Sequence, residues 1–234
     1  MSRAIASGLF LSRERSFIMT TDIRTKDGTV QETRSGFAIR FIAVTGILSA
    51  AAFVLQLIEF PLPFLIPSFI KFDFSDLPAL IGSFSMGPVC GIAIELVKNL
   101  FHSLVSQSFG VGELSNFLLG AVFTGVAGLI YRFVHSKKGA VIGSLLGAIS
   151  MAIISLPFNY FIVYPVYYNF MPQETIVAAY QAIIPSVDSI EKCLLVFNVP
   201  FTFVKGLIDC LITFLIYKKL SPILKGQGLR RAKR

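Results

Sequence analysis

Asn198, Thr202, Lys205 and Asp209 recur at spacings of four, three and four in an otherwise apolar stretch near the C-terminal end. On an α-helix that spacing places them on one stripe. Asn and Thr offer neutral hydrogen-bond donors and acceptors, and Lys205 adds one cation. Asp209, one turn further in, is positioned to keep Lys205 charged. Such a set suits a polyhydroxylated, largely uncharged solute rather than a metal ion or a proton path. The plain alternative is bonding between neighbouring helices, about 2 kcal/mol or less per bond within a bilayer. Asn159 and Tyr160 follow Pro157, which frees backbone acceptors and bends a helix. With the last two long helices adjacent, Asn159, Asn198, Thr202 and Lys205 line one pocket in the outer half. A second charged couple, Glu95 and Lys98, sits three apart on one helix face; it reads either as a self-neutralising pair or as part of a site.

Long apolar segments must position these side chains. The chain has 234 residues, of which 54% are hydrophobic and 15% charged, and its mean hydropathy is +0.74. An ordinary soluble domain carries roughly 25% charged residues. The apolar residues come in runs that suit a bilayer. The fold class expected is all-α, an integral membrane bundle of six transmembrane helices, over about 37–60, 75–86, 88–106, 113–134, 139–168 and 193–219. Ser75 is placed to cap the second helix. Gly87-Pro88 separates the second from the third, and Pro157 and Pro165 kink the fifth. Residues 1–36 read as a polar cytoplasmic tail without a signal-peptide pattern, 37–219 as the membrane domain, and 220–234 as a basic cytoplasmic tail. Residues 169–192 read as the longest polar connection.

Between the first two helices the segment FPLPFLIPSF holds Pro61, Pro63 and Pro67, which no single helix accommodates. It is a loop, yet it is apolar and rich in phenylalanine. Two readings stand: a loop lying in the membrane interface, or a lid over an apolar part of a ligand, with Phe64 and Leu65 at its tip.

The cations fix the orientation. Lys and Arg concentrate in the N-terminal segment, in the C-terminal end and in the Arg132–Lys138 turn, while the opposite side has only Lys71 and Lys192. By the positive-inside rule both termini are cytoplasmic in the plasma membrane, which agrees with an even number of spans. The same distribution accounts for the net charge of +8 without a nucleic-acid partner. Cys90, Cys193 and Cys210 form neither a disulfide framework nor a redox pair, and His102 and His135 have no metal-ligand spacing. No nucleotide-binding loop or catalytic motif is present, so no enzyme activity, metal or cofactor is expected, and ATP hydrolysis, if it drives this protein, occurs on a partner chain. Gly46 and Ala50, four apart on the first helix with Ser49, Ala51 and Ala52 beside them, let another helix approach closely, either within this bundle or from a partner.

The segment KFDFSDLPALIGSFSMGPVCGIAIELVKNLFHSL, residues 71–104, resembles the riboflavin-specific S components of energy-coupling factor (ECF) transporters. Asp73, Phe74, Ser75, Asp76 and Pro78 match the first part of their pattern. Gly87, Pro88 and Gly91 match the second, and Glu95, Lys98 and Asn99 the third. Asn159-Tyr160, Pro200-Phe201 and Lys205-Gly206 extend the resemblance over about residues 37–225. It implies a six-helix S component that captures riboflavin from outside as a transported ligand, capped by the proline-rich loop, and topples in the membrane to release it. The family's ribityl-binding positions fall on Asn159 and Lys205, with Thr202 where Asn is frequent. The family's helix-one contact with a transmembrane coupling subunit falls on Gly46 and Ala50, and two ATPase subunits complete the transporter. An S component for another vitamin or precursor, and a proton-coupled secondary transporter using Glu95, Lys98 or Asp209, are the alternative readings. The chain lacks the two similar halves that many secondary carriers show.

Overall fold

The computed structural model describes residues 23–24, 30–31, 34–106 and 110–224. The expected tails, 1–36 and 220–234, lie mostly outside them. Residues 1–44 and 45–234 form two separate compact units. In the first, β1 (Ile23–Arg24) pairs antiparallel with β2 (Val30–Gln31), and α1 (Arg34–Leu57) begins.

The second unit holds the remainder of α1 and the rest of the fold. A hairpin follows, β3 (Phe60–Pro61) antiparallel to β4 (Lys71–Phe72), with Phe60 opposite Phe72. Then come α2 (Asp76–Met86), α3 (Pro88–His102) and α4 (Val111–Phe133). Next, α5 runs over Lys137–Phe158 and continues through a π-helical turn, Asn159–Val163, into Tyr164–Tyr167. A short α6 (Gln173–Gln181) precedes α7, which starts at Ile190–Cys193, passes a second π turn at Leu194–Asn198 and continues over Val199–Leu224.

The protein is thus all-α apart from short hairpins, with seven helices among the described residues rather than six. Four are long and apolar enough to cross a membrane: Gly36–Leu57, Val111–Phe133, Lys137–Tyr167 and Ile190–Ile216. At about 1.5 Å per residue, α2 and α3 fall short of a hydrocarbon core about 30 Å thick. The seventh helix, α6, lies inside the connection that reads as polar. Its Ile176 and Tyr180 are buried, and they join Ile66, Val163, Tyr164, Val187 and Leu194 in one apolar cluster. A second cluster gathers Leu80 and Phe84 with Phe123, Ala148, Met151 and Cys210.

Local chemistry explains the breaks. Gly87 adopts φ +103, a region closed to most side chains, and turns the chain between α2 and α3; Pro88 opens α3 where its missing N–H costs nothing. Along α4 and α5 small residues bring backbones together. A Cβ on Gly147 would stand 2.7 Å from the Phe123 carbonyl oxygen, and one on Gly143 2.8 Å from that of Ala127. The outward faces carry Leu129, Ile153, Phe161, Leu211 and Leu215, all exposed, as lipid contact requires.

Candidate substrate-binding cavity

Most of the cavity wall comes from alternating helix ends, with Met151 added from the middle of α5 and Phe170 and Met171 from the chain after it. Gln56 and Glu59 close α1, Ser68–Lys71, Asp73 and Asp76 lead into α2, and Ser106 follows α3. Glu113 through Gly120 open α4, Asn159 through Tyr167 end α5, and Asn198 through Lys205 open the long part of α7. The enclosed volume is about 440 Å³, within the range of small-molecule sites.

Lys205 is buried against a wall of carboxylates. Its Nζ donates to Asp76 Oδ2 and lies 3.8 Å from both Asp73 Oδ1 and Asp209 Oδ2. The other oxygen of Asp76 accepts from Lys98 Nζ at 2.5 Å. Lys98 also donates to Ser75 Oγ at 2.6 Å and stands 2.8 Å from Glu95 Oε2. Asp76 therefore bridges two ammonium groups on α3 and α7. Charges so deeply buried persist only when paired and hydrogen-bonded, and here each cation meets more than one acceptor.

The Ser75 hydroxyl does not cap α2, as its position in the sequence implies. Its side chain makes no capping bond; it is taken by Lys98, while its N–H donates to Asp73 Oδ1 at 2.7 Å in an Asx turn. Likewise Asp209 is a distant partner of Lys205, and Asp76 is the near one. Glu95 and Lys98 do pair, but as one limb of this larger network.

The neutral polar groups are oriented by second contacts. Asn159 Nδ2 donates to the Ser155 carbonyl at 2.8 Å, and its Oδ1 accepts from Ser115 Oγ at 3.1 Å. Asn198 Oδ1 accepts from the Tyr180 hydroxyl at 2.6 Å, which in turn meets the Tyr164 hydroxyl at 2.5 Å. Burial pushes the Tyr180 hydroxyl well above the ordinary tyrosine range, so it stays a neutral donor. Gln56 Nε2 donates to Asn99 Oδ1 at 2.9 Å, and Asn99 Nδ2 to the Glu95 carbonyl at 2.8 Å. Glu113, on the wall, accepts from or shares a proton with His102 Nδ1 at 2.7 Å. At the hairpin Lys71 bonds Glu59.

Asn159, Asn198, Thr202 and Lys205, expected to share a pocket, all line this cavity. Phe64 and Leu65 do not. They are 75% and 50% exposed, and the same loop presents Ser68, Phe69, Ile70 and Lys71 to the cavity instead. The difference follows from the chain path: Leu65 and Ile66 N–H bond back to the Leu62 carbonyl, so the loop turns on itself and buries Ile66 rather than its tip. Phe69 stands edge-on to Tyr180, ring centres 6.0 Å apart, and Phe201 edge-on to Phe72 at 6.1 Å. Gly46 and Ala50 lie away from the cavity on an exposed strip of α1, where a Cβ added to Gly46 meets nothing within 4 Å. Gln56 and Tyr164 line the cavity without having stood out in the sequence, and Asp73 and Asp76, which also line it, stood out there only as part of the family pattern. A further signal for the two aspartates was that lysines within apolar helices require acidic partners.

A cavity with aromatic walls, oriented amides and one neutralised cation, set among membrane-crossing helices, defines a solute-binding membrane protein. The comparisons agree. Residues 40–217 match the family model described as ECF transporter, substrate-specific component. The riboflavin transporter RibU of Staphylococcus aureus is 38% identical over 80% of this chain and 92% of its own length. The riboflavin transporter FmnP of Bacillus subtilis is 31% identical over 81% and 96%. A solved structure of the S component of a bacterial ECF transporter superposes with a TM-score of 0.63 at 34% identity, covering 80% of this chain and 99% of that one. The chain belongs to the substrate-specific components of ECF transporters, a family of multi-pass membrane transport subunits rather than enzymes.

Proposed function

We propose that this protein captures riboflavin outside the cell and, as the S component of an ATP-driven importer, delivers it inward. The observation that carries this reading is the pairing, in one cavity, of Asn159, Asn198, Thr202 and Lys205 with Phe69, Tyr164 and Phe201. The amides, hydroxyl and ammonium match a hydroxylated chain, and the aromatic walls match a flat ring system. Two relatives above 30% identity are named for riboflavin transport. The ligand is cargo, and no cofactor is assigned.

Six crossings make up the membrane domain, residues 37–219: α1, α2, α3, α4, α5 and α7, with the extended chain before Asp76 completing the path of the short α2 and the turns after His102 that of the short α3. The alternation of helix ends around the cavity supports this count, since each successive helix must reverse direction to bring its cavity-facing end to the same side. With Arg132, Lys137 and Lys138 at the end of α4 and start of α5 away from the cavity, the cavity opens outward and both tails, 1–36 and 220–234, are cytoplasmic. Phe64 and Leu65 form the outer surface of the covering loop, and Phe69 and Ile70 its inner one. The exposed Gly46–Ala50 strip receives a transmembrane coupling subunit, which two ATPase subunits drive.

Titrating riboflavin into the purified protein and following loss of flavin fluorescence tests this reading. Saturable binding with submicromolar affinity is expected, along with uptake that needs the coupling module and ATP. Millimolar or absent riboflavin binding overturns the substrate assignment. Uptake driven by a proton gradient without an ATPase overturns the transporter class.

A further inference from the structure

Tyr180 lies outside the cavity lining, on α6, yet it is fully buried and touches three of the elements that build the site. Its hydroxyl meets Tyr164 of α5 and Asn198 of α7, and its ring is met edge-on by Phe69 of the covering loop. The direction of these bonds matters. Asn198 Oδ1 is occupied as the acceptor of the Tyr180 proton. The Tyr180 oxygen is then left to accept from Tyr164, so the three groups form one chain running Tyr164 to Tyr180 to Asn198. An amide whose oxygen is held in this way cannot flip without stranding a buried hydroxyl. Its NH₂ carries two protons: the Tyr164 hydroxyl stands within reach of one, and the other is left for the cavity. Asn198 lines the cavity.

We infer that Tyr180 is a positioning residue for substrate recognition: by holding Asn198 Oδ1 it makes that amide present a hydrogen-bond donor to the cavity and commits this wall to an acceptor on the ligand, a carbonyl or hydroxyl oxygen. The inference rests on the riboflavin reading above. It also gives α6 a role: the helix brings the group that sets the polarity of a residue on another helix. A solute offering only N–H or protonated groups at this point is refused, because the Asn198 NH₂ and the ligand donor would oppose each other unpaired.

A double-mutant cycle with riboflavin tests it. Tyr180→Phe keeps the ring and its contact with Phe69 but removes the hydroxyl. Its riboflavin affinity is expected to fall about tenfold, the usual scale for one buried hydrogen bond lost with its partner left unsatisfied. Asn198→Ala is expected to lose at least as much. In the Asn198→Ala background Tyr180→Phe should then cost less than about twofold. If Tyr180 only packs the wall, the loss repeats undiminished in both backgrounds, and that result overturns the inference, as does an unchanged affinity for Tyr180→Phe alone. Should Tyr180→Phe fail to fold, Asn198→Asp carries the test. It still accepts from Tyr180 but offers an oxygen where the NH₂ was, and wild-type affinity in that variant sinks the proposal. Failure of the unmodified protein to bind riboflavin would instead fall on the substrate assignment, so the two failures are told apart by the first titration.

Discussion

Lys205 on α7 donates to the carboxylate of Asp76 on α2, 129 positions away in sequence, and both residues are buried. Because the other oxygen of Asp76 holds Lys98, one carboxylate ties α2, α3 and α7 into a common charge network. Lys205 therefore has two roles, one facing the cavity and one facing the protein.

Replacing Lys205 by Met separates those roles. Breaking a buried ion pair from one side costs about 3–5 kcal/mol when the remaining charge is stranded; here Asp76 keeps Lys98, so the loss is smaller. The variant should melt several degrees lower in detergent and bind riboflavin more than tenfold more weakly. Adding Asp76→Asn should recover part of the melting temperature without recovering binding. Wild-type binding by Lys205→Met would remove the residue from the site.

Gly120 on α4 faces the Glu95 carboxylate so closely that a methyl group would occupy its place. Gly120→Ala should therefore destabilise the protein by about 1–3 kcal/mol, the scale of overpacking a core, even though alanine is the better helix former. In a Glu95→Ala background the penalty should largely vanish. Thermal melts of the four proteins check this.

The loop between β3 and β4 offers two phenylalanines with opposite placements. Phe69 lines the cavity and Phe64 is 75% exposed. Phe69→Ala should weaken riboflavin binding about tenfold, the value of a buried aromatic contact with its burial, whereas Phe64→Ala should change it by less than about twofold. The reverse order would show that the loop rearranges around its ligand.

Gly46→Leu adds a side chain where nothing stands within 4 Å. It should leave folding and riboflavin binding of the isolated subunit intact while blocking copurification with the coupling subunit and riboflavin uptake. Normal uptake would move the partner surface elsewhere on the molecule.

Much of this was readable from residue order, and the remainder was not for definite reasons. The stripe Asn198, Thr202 and Lys205 follows helical spacing, so its members meet the cavity together, and Pro157 marks where Asn159 turns inward. Asp73 and Asp76 sit at a loop-to-helix junction, which normally is solvated, and only three-dimensional closure shows them to be the anions that Lys98 and Lys205 need. Ser75 satisfied the rule for a helix cap, but a nearby ammonium outcompeted the backbone for its hydroxyl. α6 was hidden because half its surface is polar. Its two buried residues, Ile176 and Tyr180, four apart, leave too faint a period in nine residues to stand out from a connection.

The two π turns, at Asn159–Val163 and Leu194–Asn198, each carry more residues per turn than an α-helix. Deleting a single residue from either would restore α periodicity and swing everything beyond it by about 100°. Lipid would accept such a deletion, since span length and hydropathy hardly change. The cavity would not, because Asn159 could no longer face Ser115 while Tyr164 faces Tyr180, nor Asn198 face Tyr180 while Lys205 faces Asp76. The length of these two helices is thus held to the single residue by rotational phase, a constraint independent of the thickness of the bilayer.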